Sequence, residues 1–295
     1  NGTVDSAFGT NGIATVEPSA NAESKFVGLA MQPDGKILVA GLCVGTPCAV
    51  RLLPNGSPDA GFGVNGIANH STAIGGGSVT SITALPDGRI LMGGVCSAVG
   101  GAQPGFCASR FTATGTTDTA YASSGIARVL IPGTTGPFTA QLALGPDGSV
   151  LLAGTCQTPT VLVACMARID VNGLADPTFN FDGAVANAFS GYSLSEVTVA
   201  LQPDGRIVLA MTCTPTGTVN YAICVFRYNN DGFLDQSFGN VGRVLSNFST
   251  GTDARDSVEN VVLQPDGKVL VGGSCYNAAL GYRPCIARYF GGPMT

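Results

Sequence analysis

Ten cysteines, nineteen carboxylates and one histidine are the side chains of this chain that could carry chemistry. The lone imidazole, His70, excludes sites built from several histidines and leaves little for histidine-based acid–base catalysis. The cysteines are the most regular set: Cys43 with Cys48, Cys96 with Cys107, Cys156 with Cys165, Cys213 with Cys224 and Cys275 with Cys285. The first of each pair lies eight residues after the glycine of a Pro-Asp-Gly triplet. The second lies three residues before an arginine, while the stretch between them varies from four to ten residues. Zinc asks for two close Cys-x-x-Cys pairs and c-type haem for Cys-x-x-Cys-His, and neither is present. Two facing residues of a hairpin can meet disulfide geometry. The spacing therefore predicts five disulfides, each joining the second and third strands of one repeat, with buried free thiols as the alternative. Such disulfides call for an oxidising compartment, so the protein is expected outside the cell or on its surface, with Asn1 following a removed signal segment.

The carboxylates are mostly absorbed by the repeat. Asp34, Asp87, Asp147, Asp204 and Asp266 sit in the Pro-Asp-Gly triplets. Asp5, Asp59, Asp118, Asp176 and Asp235 open an Asp-x-x-aromatic-x-x-x-Gly motif. A role needed five times is structural: the aspartate caps its own turn or pairs with the arginine eight residues earlier, as Arg51 with Asp59. The recurring arginines are Arg51, Arg110, Arg168, Arg227 and Arg288. No Asp-x-Asp-x-Asp run supports calcium in these loops, and no metal or cofactor is expected. Residues that break the repeat are better candidates for a ligand site. Glu23, Lys25, Glu196 and Glu259 lie just before the innermost strands, at positions that approach one mouth of a propeller channel. There is no Gly-x-Ser-x-Gly elbow, and no helix follows the glycines to make a phosphate loop. Asn1, Asn69 and Asn247 head glycosylation sequons.

The elements that must position these residues recur at intervals of 53, 60, 57 and 62 residues, read from Pro33, Pro86, Pro146, Pro203 and Pro265. In the first copy an apolar stretch, 26–32, runs into the Pro33-Asp34-Gly35 turn, and a β-branched stretch, 36–41, follows. A third strand covers 48–52, and a fourth follows the Asp59 motif at 67–71. Four strands every fifty-odd residues predict an all-β, five-bladed propeller, with a β-solenoid as the rival. The blades are expected at 19–75, 76–132, 133–189, 190–248 and 249–295. Residues 1–18 would be an outer strand for the fifth blade, or for that of a neighbouring molecule.

The segments Leu201-Gln202-Pro203-Asp204-Gly205-Arg206-Ile207 and 263–269, with Leu234-Asp235-Gln236-Ser237-Phe238-Gly239 and the strand ending at Arg288, resemble the delta-60 repeat family of bacterial proteins. The resemblance covers all five copies. It implies a propeller of an exported or surface protein and carries no enzymatic activity. Tyr121-Ala122, Asn180 and Met211 depart from the pattern, Met211 standing where a strand-ending glycine is usual.

Composition narrows the function. Charged residues are 11% of the chain, net charge is −5 and no basic patch occurs, so nucleic acid is not an expected partner. No apolar run reaches membrane-spanning length. Sparse charge and a spare strand point to a non-catalytic extracellular structural protein that assembles with itself, as a filament or surface layer. The alternative is a monomeric module binding a glycan or peptide at the channel mouth or the Cys–Cys loops. A polysaccharide lyase or hydrolase is the third reading.

Overall fold

A computed structural model describes residues 2–17, 24–69, 77–97, 103–249, 255–277 and 279–291. Every regular element in them is a β-strand. The chain divides into two compact units, one running up to Arg128 together with Val171–Leu174, the other covering Val129–Asp170 and the residues from Ala175 onward.

The first unit holds two antiparallel meanders. One is β1 (Ser24–Met31), β2 (Ile37–Cys43), β3 (Thr46–Leu52) and β4 (Ile67–Asn69). The other is β5 (Ser78–Ala84), β6 (Ile90–Cys96), β7 (Gly105–Phe111) and β8 (Ile126–Val129). The second unit holds three. β9 (Gln141–Leu144), β10 (Val150–Gln157), β11 (Leu162–Ile169) and β12 (Ala184–Asn187) form the first. β13 (Tyr192–Leu201), β14 (Ile207–Pro215), β15 (Ala222–Tyr228) and β16 (Arg243–Ser246) form the second. β17 (Ser257–Leu263), β18 (Val269–Asn277) and β19 (Gly281–Tyr289) form a three-stranded third. Residues 2–17 carry turns and an isolated bridge between Thr10 and Ile13, and no strand.

Each first hairpin is closed by the Pro-Asp-Gly triplet. In the first copy, Gln32 and Lys36 bond across the turn, Asp34 Oδ1 accepts the Lys36 N–H at 3.2 Å, and Gly35 takes a φ of 81° that a side chain would resist. The second and third strands of the four-stranded sheets are the most buried, because both their faces are covered by neighbouring sheets or loops. β7 and β15 are buried along their whole length, and β11 nearly so. Their apolar runs do not alternate for that reason. In the first unit Leu38, Ala40, Phe62, Ile82, Ile90 and Met92 pack together; in the second, Leu151, Met166, Phe179, Leu209, Met211 and Phe226 do.

All ten cysteines are paired as the spacing predicts: Cys43 with Cys48, Cys96 with Cys107, Cys156 with Cys165, Cys213 with Cys224 and Cys275 with Cys285. Their Cα atoms lie 5.6–5.9 Å apart, inside the usual disulfide range. The expected arrangement, two residues facing each other across the hairpin, needs correction, because the partners are diagonal. Cys43 lies opposite Thr46, whereas Cys48 lies opposite Gly41. Cys107 faces Gly94 and not Cys96, which faces Gly105. Cys165 faces Gly154 and not Cys156, which faces Val163. Cys224 faces Met211, and Cys285 faces Gly273. Sheet twist brings such diagonal positions together.

Candidate functional site

The repeated arginine and aspartate form a structural clasp. Arg51 Nε donates to Asp59 Oδ2 at 2.8 Å, and the same bond joins Arg110 to Asp118, Arg168 to Asp176 and Arg227 to Asp235 at 2.7–2.8 Å. Each guanidinium lies 4.3–4.8 Å over the aromatic ring of its own motif: Phe62, Tyr121, Phe179 or Phe238. Its Nη1 then donates to a carbonyl of the next copy, that of Ala113, Val171, Asn230 or Gly291. The other carboxylate oxygen caps the motif's turn through the N–H of Gly61, Ala120, Thr178 or Ser237. Burial pushes the carboxyls of Asp59, Asp176 and Asp235 up, but the hydroxyls of Thr178 and Ser237 on the latter two, and the turn N–H groups and the arginine on all three, outweigh it, so each ends below the ordinary value. Asp5 caps its own turn through the Ala7 N–H at 3.0 Å. Arg288 lies in β19.

The basic residue after the Pro-Asp-Gly triplet adds a second cation to the clasp. Lys36 reaches Asp59 at 3.7 Å, Arg89 reaches Asp118 at 3.6 Å and Arg206 reaches Asp235 at 3.5 Å. The third copy has Ser149 there, which bonds Asp147 instead. A cavity of about 270 Å³ lies at that turn, lined by Asp147, Ser149, Arg168 and Asp204.

A larger cleft, of about 520 Å³, opens in the second unit between the fourth and fifth sheets. Its walls are Ser195, Glu196, Thr212, Tyr221, Arg255, Ser257, Ser274 and Tyr282. Glu196 belongs to a β-bulge in β13, between Ser195 and Val197, and has a φ of 43°. A non-glycine residue in that region is strained and held by its surroundings. Thr212 Oγ1 donates to Glu196 Oε2 at 2.6 Å and accepts the Val258 N–H at 3.0 Å, so it links the carboxylate to β17. Tyr221 and Tyr282 come from the Cys213–Cys224 and Cys275–Cys285 loops. The Arg255 guanidinium lies 5.5 Å over the Tyr276 ring, which in turn meets the Tyr282 ring edge-on at 5.3 Å. Buried Asp256 accepts the N–H groups of Phe248 and Ser249, at 2.6 and 3.0 Å, and so ties those two residues to the start of β17. Hydroxyls, a carboxylate, a guanidinium and exposed phenol rings suit a polyhydroxylated ligand, which needs alternating donors and acceptors and an apolar face to stack on.

Of the candidates that break the repeat, Glu196 lines this cleft. Glu259 is exposed at a bulge in β17, between Val258 and Asn260, and is not among the lining residues. Lys25 is exposed on β1 in the other unit. Glu23, His70 and Asn1 lie outside the described residues; Asn69 and Asn247 are exposed. Arg255 and Thr212 were not singled out by sequence reasoning. The Cys–Cys loops were, and they deliver the two tyrosines. The Cys156–Cys165 loop, in the same unit, contributes no residue to the cleft. Among the described residues no group of acidic, histidine or cysteine side chains could hold a metal ion. No helix among them is long and apolar enough to cross a membrane.

Three segments, 32–62, 202–238 and 264–290, match the family described as "Domain of unknown function (DUF5122) beta-propeller". No curated protein matches the chain. Among solved structures, the chain is similar to the Penicillium chrysogenum α-L-arabinanase complexed with arabinobiose. The two are 12% identical with a TM-score of 0.53, over 90% of this chain and 81% of that one. It is also similar to a protein from Lactobacillus plantarum, at 10% identity and a TM-score of 0.50, over 90% of this chain and 71% of that one. The GH93 α-L-arabinofuranosidase of Fusarium graminearum with arabinobiose aligns at 10% identity and a TM-score of 0.49, over 93% and 96%. The chain thus has a β-propeller fold. The likeness to the arabinanase overturns two expectations, that the protein is a non-catalytic building block of filaments and that it is no enzyme. The fold is shared with an arabinanase.

Proposed function

We propose that this chain is a glycan-active propeller whose site is the cleft around Glu196. The observation that carries the reading is a carboxylate held at positive φ in a concave site walled by hydroxyls and exposed tyrosines. Sugars are bound in this way: carboxylate and hydroxyl oxygens accept from ring hydroxyls, while a phenol ring packs on the apolar sugar face. The likeness to an arabinanase supports the choice of ligand class by analogy of fold. In a hydrolytic form of the reading, Glu196 gives a proton to the leaving glycosidic oxygen as the glycosidic bond breaks, water adds at the anomeric carbon, and the proton that water loses returns to the Glu196 carboxylate.

In the same reading the five sheets are five blades, the repeats belong to the delta-60 type, and the protein is exported. Five disulfides support export, since a reducing cytosol would not keep them. The test is a glycan panel that includes arabinan and its oligosaccharides, read both as binding and as release of reducing ends. Binding by the wild type and its loss in Glu196→Gln supports the reading; no binding to any glycan overturns it.

A further inference from the structure

We propose that Met211 is the positioning residue of the cleft: by replacing a glycine it displaces the β-bulge by one residue and so delivers Glu196 to the site. This rests on the cleft being the functional site, but its structural half stands alone. In β1, β5 and β17 the bulged residue is Val27, Thr80 or Glu259, six residues before the proline of the following triplet. In β13 it is Glu196, seven residues before Pro203.

The cause lies across the hairpin. Six residues after each triplet's glycine, β2, β6 and β18 carry Gly41, Gly94 and Gly273. A Cβ on any of these would come within 1.9–2.0 Å of a backbone oxygen on the first strand, that of Lys25, Ser78 or Ser257. The regular bulge therefore requires glycine. The residue paired with that glycine is apolar, Phe26, Val79 or Val258. In the fourth copy the pair is exchanged: Met211 stands at the glycine position and Glu196 at the apolar one. Met211 is fully buried in the second unit's core, so the apolar bulk has moved from the first strand to the second. Its Cβ forbids the regular approach. The strand relieves the clash by pairing Val197 with Met211 and extruding Glu196, which takes the positive φ and bonds Thr212. One sequence exchange thus removes a carboxylate from a buried position and places it in the cleft.

The test compares Met211→Gly with Met211→Ala. Both lose the core side chain, but only glycine removes the Cβ. Crystal structures of the two variants are expected to show the bulge at residue 197 in Met211→Gly, with the Thr212–Glu196 bond broken, and still at Glu196 in Met211→Ala. Binding of the glycan found with the wild type should fall roughly tenfold to a hundredfold in Met211→Gly, as for the loss of a charge-assisted hydrogen bond, and much less in Met211→Ala. If Met211→Gly does not stay folded, Met211→Gly with Glu196→Val restores the pair of the other copies and should carry the bulge at 197. A bulge that stays at 196 in both glycine variants overturns the inference. Failure of the wild type to bind any glycan overturns the function and leaves this register test standing.

Discussion

Arg227 and Asp235 meet at 2.8 Å, Nε to Oδ2, with both residues buried. The pair ties the end of β15 to the turn before β16, and the same clasp recurs in three other copies. Removing one member of a buried pair leaves the other charge uncompensated. Asp235→Asn is therefore expected to destabilise the second unit by ~3–5 kcal/mol. Thermal denaturation should show a midpoint lowered by on the order of 10 °C. A shift of a degree or less would mean that the clasp is solvated.

The disulfides should act one hairpin at a time. Each closes a short loop and constrains the unfolded chain by roughly 2–3 kcal/mol. Replacing Cys43 and Cys48 together by serine is expected to lower the melting midpoint without changing the strand content seen by circular dichroism. Thiol titration of the unreduced, denatured protein should find no free cysteine. Reactive thiols in place of the Cys96–Cys107 and Cys156–Cys165 bonds, or of the other three, would contradict the pairing.

Acid should loosen the fold in a definite window. Asp59, Asp176 and Asp235 titrate below the ordinary aspartate value when folded. Their contribution is fully present above the unfolded pKa of about 3.9 and is lost as pH falls through the lower folded values. The melting midpoint should be flat from neutrality to about pH 5 and drop steeply below about pH 4. A midpoint that stays flat through acid, down to about pH 2, would contradict the clasp's ionic character.

Tyr228 offers a check at the alkaline end. It is fully buried, and burial pushes its phenol up to about 12 against the pull of its bond with Asn187. Ultraviolet titration of the folded protein should show the Tyr228 phenol ionising late, with Tyr289, which burial also raises, behind the ordinary tyrosine range as well. Simultaneous ionisation of all tyrosines near the ordinary value of about 10 would mean that this core opens.

Much of the fold was legible because the repeat prints its own turns and strands. The Pro-Asp-Gly triplets set the first hairpins, and the constant offsets of Cys43, Cys48 and their counterparts set the disulfides. The diagonal pairing, as of Cys107 with Cys96 and Cys165 with Cys156, was not legible, since it arises from sheet twist and hairpin register. The site was half legible. Glu196 stands out because it breaks the repeat, and Met211 because it replaces a glycine, but only the register across β13 and β14 shows that the two departures are one event. Arg255 and Tyr282 join the cleft through contacts between sheets, which no local spacing encodes.

The most direct test of the central claim is calorimetric titration of the oxidised protein with arabinan oligosaccharides and the other glycans of the panel, for the wild type and for Glu196→Gln. The expected result is saturable binding of one glycan class by the wild type, weakened at least about tenfold in the variant, which loses one charge-assisted contact. Equal affinity in the two proteins would place the ligand elsewhere and contradict the assignment of the cleft.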